Sequence, residues 1–107
     1  MSSTNSEAVI VVINCNIQLG KAEMARKEFE AIIKTVVTNE AACHGIRLHM
    51  DPEEPHRLLL IEHWDSKGAF TGAHMQTPHM QGFLGRAAEF FAGTPEFGFW
   101  REIAAAS

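Results

Sequence analysis

The chain has no tyrosine, only two cysteines and no dense run of basic residues. Each scarcity removes a class of function. No phenolic side chain is available to any site. Cys15 and Cys43 form no CxxC pair, and two thiols without an export signal point to reduced cysteines in a cytoplasm. A net charge of -4 with no basic cluster argues against nucleic acid as a partner. A membrane span needs about 20 consecutive apolar residues, and the longest run, Ala8 to Ile13, is far shorter. Met1 to Glu7 lacks the basic start and apolar stretch of a signal peptide. It reads as a disordered leader (1–7) ahead of a single domain over 8–107. None of the six histidines stands in an HxxxH or HExxH arrangement, so no metal site is expected. No P-loop, GxGxxG or nucleophile elbow occurs either.

What the chain does have is clear hydrophobic periodicity. Ala8-Val-Ile-Val-Val-Ile13 is β-branched and continues to Gln18, which predicts a first strand. From Lys21 to Glu40 the spacing turns helical, with Met24, Ala25, Phe29, Ile32, Ile33 and Val36 on one stripe. Cys43–Asp51 predicts a second strand, Asp51–Pro55 a turn and Leu58–Trp64 a third strand. Ser66 is a helix N-cap for a short helix over Lys67–Met75. Thr77-Pro78 starts another helix, whose stripe runs from Met80 to Phe91 before Gly93-Thr-Pro95 ends it. Phe97–Ile103 closes the series as a fourth strand. The order β-α-β-β-α-β predicts an α+β, ferredoxin-like fold: a four-stranded antiparallel sheet with helices on one face.

Two strands break the alternation of a sheet with one wet face. Val9, Val11 and Ile13 oppose Ile10 and Val12, and Leu58 and Leu60 oppose Leu59 and Ile61. Helices cover only one face in this layout. The uncovered side chains would cost roughly 1.5–3 kcal/mol each in water. A homodimer stacked through the sheet face is the economical cover.

The segment Ile61-Glu-His-Trp64, then Ala69-Phe70, His74, Thr77-Pro-His79 and Phe83, resembles the signature of the antibiotic-biosynthesis monooxygenase family. The likeness extends to strand one with its Gly20 turn, the first helix and the Asp51 turn. It implies a dimeric α+β barrel with a pocket between sheet and helices. It implies oxidation of a small phenol or hydroquinone by molecular oxygen, without metal or flavin; other members isomerise small carbonyl compounds, degrade haem or have no known activity. Three positions depart from the family pattern. Ile46 replaces an aromatic residue, Ala42 replaces a glycine, and the interval from Trp64 to His74 is one residue longer. A family mechanism that needs a pocket tyrosine is excluded. Haem degradation is disfavoured, since Ala73 and Phe83 stand where that branch has a tryptophan and a ligating histidine. No cofactor is therefore expected.

Oxygenation without a cofactor needs a base, a dry pocket and orientation. His74 and His79 flank the helix break and are the candidate bases; otherwise His74 caps the short helix and His79 is a solvated first-turn residue. Trp64 could stack on a flat substrate or simply fill the core. Glu62 shares its strand face and reads either as a base or, preferably, as a buried ion pair or hydrogen bond at the dimer interface, for which Arg101 or Arg57 could be the partner. Asn14 and Asn16 could bind a substrate oxygen, or mark a wet strand end. His49 and Phe83 complete the candidate substrate-binding set. The competing readings are a carbonyl isomerase and a non-catalytic small-molecule binder on the same fold.

Overall fold

The structure is a computed structural model and describes residues 7–107, so nearly all of the expected leader lies outside the described residues. Strands β1 (Val9–Asn16), β2 (Cys43–Met50), β3 (Arg57–Trp64) and β4 (Glu96–Trp100) form one sheet in the order β2-β3-β1-β4. Every neighbouring pair is antiparallel. Helix α1 (Ala22–Asn39) links β1 to β2. Between β3 and β4 come the single turn α2 (Lys67–Ala69), a wider π-helical turn over Phe70–His74, and α3 (Pro78–Ala87). This is the ferredoxin-like order that the periodicity predicts.

The local reasons are visible at each boundary. Ser66 Oγ accepts the Ala69 N–H at 3.0 Å, and Thr77 Oγ1 accepts the Met80 N–H at 3.2 Å with Pro78 in the first turn. A β-bulge between Cys43 and Gly45 falls on a glycine at φ 153°, a backbone angle that a side chain would strain.

Two expected boundaries move. The stripe of α3 was expected to reach Phe91, but the helix ends at Ala87. The residues just after β1 take over the following segment: Gln18 N–H donates to Phe90 O at 2.9 Å, and the Gln18 side chain donates to Ala88 O and Phe91 O. Phe90 thus enters the core from a turn and is wholly buried. The last strand stops at Trp100 rather than Ile103, which is exposed.

The core lies between the sheet and the helices. Val11, Ile13 and Cys15 of β1 and Leu58, Leu60, Glu62 and Trp64 of β3 are buried on that side. The opposite face carries Ile10, Val12, Leu59, Ile61 and Trp100 without any helix over them. Among the described residues no helix is long and apolar enough to cross a membrane.

Candidate active site

Between the sheet and α1 and α3 lies a cavity of about 80 Å³. Its walls are almost entirely apolar: Ile13, Ile46 and Leu60 from the sheet, Phe29, Ile33 and Val36 from α1, and Met80 and Phe83 from α3. Leu84 and Phe97, both about half exposed, are its outermost lining. Three groups with chemistry reach it, Cys15, Glu62 and His74.

His74 ends the π-helical turn and is only 3% exposed. Such a turn holds one residue more than an α-helical one, which shifts where His74 falls around the helix axis. The ring is clamped by aromatics, stacked on Phe70 at 5.2 Å and tilted against Trp64 at 4.5 Å. Its Nδ1 lies 2.9 and 3.0 Å from the two carboxylate oxygens of Glu40. A carboxylate only accepts, so Nδ1 carries the hydrogen and Nε2 is left with the lone pair. His79 is not on the cavity wall; its Nε2 meets the same Glu40 at 2.7 Å. Burial holds His74 below the ordinary imidazole range, against the hydrogen bond and charge of Glu40.

Glu62 is 5% exposed and faces the helices, not the open sheet face. The buried hydrogen bond expected of it is present, but not with an arginine and not on the open sheet face. Arg101 pairs with Glu7, and Arg57 with Asp51 at 3.2 Å. Glu62 Oε1 instead accepts the indole N–H of Trp64 at 2.8 Å. Burial pushes the carboxyl up to about 7, opposed by the Trp64 hydrogen bond and assisted by the charge of Glu40. Cys15 is pushed up to about 12, first by burial and then by Glu62, which keeps it an unreactive thiol.

The structure brings together His74 and Phe83 on the cavity, with Trp64 directly behind and His79 one hydrogen bond further out. It does not bring Asn14, Asn16 or His49 there; all three are exposed on the far side of the sheet. Sequence reasoning missed Glu40 as a functional group. The available signal was an acidic residue at the C-terminal end of α1, where the helix dipole disfavours negative charge. Among the described residues, no three His, Cys, Asp or Glu side chains are grouped so as to hold a metal ion.

The family model described as antibiotic biosynthesis monooxygenase matches residues 8–86. The chain belongs to that family. The fold is shared with crystal structures of other proteins at low identity. PA3566 from Pseudomonas aeruginosa is 22% identical with a TM-score of 0.81, covering 95% of this chain and 100% of that one. Rv0793 from Mycobacterium tuberculosis is 20% identical with a TM-score of 0.79, covering 94% and 100%. A conserved protein from Methanosarcina mazei Go1 is 18% identical with a TM-score of 0.79, covering 92% and 96%. At such identities the likeness speaks for the fold. No curated protein matches the chain. In this member of the antibiotic biosynthesis monooxygenase family, the groups with chemistry on the cavity come from β1, β3 and the π-helical turn, and the end of α1 holds His74 from behind.

Proposed function

We propose that the protein is a cofactor-independent monooxygenase that oxidises a small phenol or hydroquinone with molecular oxygen, using His74 as the base. The observation that carries this reading is the buried His74 on the wall of an apolar cavity, with Nδ1 committed to Glu40 and Nε2 therefore the nitrogen left to take a proton. A phenol that gives its proton to Nε2 becomes an electron-rich anion able to pass an electron to oxygen. For oxidation to a quinone, one oxygen atom becomes the new ring carbonyl and the other leaves as water. The ring supplies all the electrons, so no outside reductant is needed. Apolar walls exclude water from the reactive pair, and the modest cavity favours a single ring. Glu62, poised near neutrality, would donate a hydrogen bond to the second oxygen of the substrate while protonated. Oxygen uptake over a panel of hydroquinones tests the proposal. His74→Ala should lower kcat by about 10²–10⁴-fold, and a chelator should change nothing. No uptake across the panel would overturn the reading.

One observation favours a second reading. A base and a carboxyl with a raised pKa on one cavity also suit isomerisation of a small carbonyl compound, with His74 removing a carbon-bound proton and Glu62 protonating the oxygen. Solvent deuterium entering a ketone or aldehyde without oxygen uptake would favour it. A simple binder would show ligand-dependent melting shifts with neither reaction.

The macromolecular partner we propose is a second copy of the chain, stacked on the open sheet face. Ile10, Val12, Leu59, Ile61 and Trp100 supply the apolar surface for it. Both cysteines are buried free thiols, in keeping with the cytoplasmic location expected from their number.

A further inference from the structure

Glu40 is shared. Its Oε2 lies 2.9 Å from His74 Nδ1 and 2.7 Å from His79 Nε2, so one carboxylate serves two imidazoles on two different elements. The three side chains grade outward from the cavity: His74 is 3% exposed, Glu40 12% and His79 19%. The inner ring touches the cavity and the outer ring does not.

We propose that Glu40 and His79 are positioning residues for His74: Glu40 fixes the tautomer that leaves Nε2 with the lone pair, and His79 offsets part of the charge of that carboxylate, keeping His74 uncharged and able to take a proton. The proposal rests on the reading of His74 as the base. Its physics is a competition. Alone, a carboxylate hydrogen-bonded to a buried imidazole favours the imidazolium, which is useless as a base. A second donor on the same oxygen, cationic when protonated, weakens that pull. The titratable groups around His74 are few: Glu40 from the end of α1, His79 from the start of α3, Glu62 from β3 and Cys15 from β1 on the same cavity, and Cys43 from β2, which senses both carboxylates. Among these, Glu40 and His79 are the groups that act on His74, and they act in opposite directions.

Opposite action gives a signature that a purely structural role would not produce. The acid limb of the kcat/KM profile for hydroquinone oxidation follows protonation of His74. In Glu40→Gln that limb should move down by roughly one pH unit, because the stabilising charge is gone. In His79→Phe it should move up by a similar amount, with activity near pH 6 falling several-fold and recovering at pH 8. His79→Gln keeps a donor for Glu40 but carries no charge, so it should follow His79→Phe; it serves as the milder variant if the phenylalanine disturbs folding. Loss of activity at every pH with an unmoved limb would overturn the proposal, as would shifts in the same direction. The titration of the His74 ring followed by NMR in the same proteins gives the readout without turnover. If those resonances shift in opposite directions but no substrate consumes oxygen, the monooxygenase reading fails and the positioning roles stand. If oxygen is consumed in a His74-dependent way but the titration is unmoved, the positioning roles fail alone.

Discussion

Glu62 is a carboxyl group that folding holds back from ionising. Its folded value of about 7 lies above the ordinary 4.5. Its stabilising contribution is therefore complete below the unfolded value and is lost as pH rises through the folded one. The loss is on the order of 3 kcal/mol. His74, held below its ordinary range by burial, tilts stability the other way and weakens the fold as pH falls below about 6.5. Glu62→Gln should match the wild type near pH 4.5 and exceed it in stability at pH 8, as measured by urea unfolding at both pH values. Removing the donor is a separate matter. Trp64→Phe leaves Glu62 Oε1 without its 2.8 Å partner and should cost about 1–3 kcal/mol, read from the same denaturation curves. If the two variants behave alike at every pH, the indole and the carboxyl are not acting on each other.

At the scale of elements, legibility depended on whether the cause was local. The β-branched run of β1, the stripe of α1 and the Thr77-Pro78 start are written in neighbouring residues, and each predicted element formed. The early end of α3 could not be read that way. Phe90 and Phe91 continue a helical spacing, but their carbonyls are claimed by Gln18, more than seventy residues earlier. Glu40 was hidden for the same reason, its histidines lying 34 and 39 positions away. Glu62 and Trp64 were correctly placed on one face by alternation, yet which face met the helices depended on the packing of the whole sheet. The π-helical turn is the element most open to test. Gly72 sits in it, exposed and touching nothing that a side chain would meet. Deleting Gly72 should let the segment relax to α-helical geometry, with stability within about 1 kcal/mol of wild type. Thermal melting checks the first expectation. Oxygen uptake checks the second, that re-aiming His74 lowers turnover.

At the scale of the molecule, the sheet carries apolar side chains on both faces but helices on only one. Ile61 sits amid the open face, opposite Val12 on one neighbouring strand and Arg47 on the other. Trp100 lies close over Gly98, where an added Cβ would come within 3.0 Å of the indole nitrogen. Ile61→Lys places a charge in that surface. It should convert a dimer to a monomer in sedimentation equilibrium and make melting independent of concentration. A wild-type chain that already sediments as a stable monomer would refute the stacked arrangement. The placement of the two tryptophans has an optical consequence. With no tyrosine in the chain, ultraviolet emission belongs to Trp64 and Trp100 alone. The first is sealed against the His74 ring, and the second stands 63% exposed. The chain thus carries its own pair of fluorophores. A blue component should dim when the adjacent imidazole gains a proton, and a red one should shift if the proposed second copy covers it. Trp100→Phe would isolate the first lamp and Trp64→Phe the second.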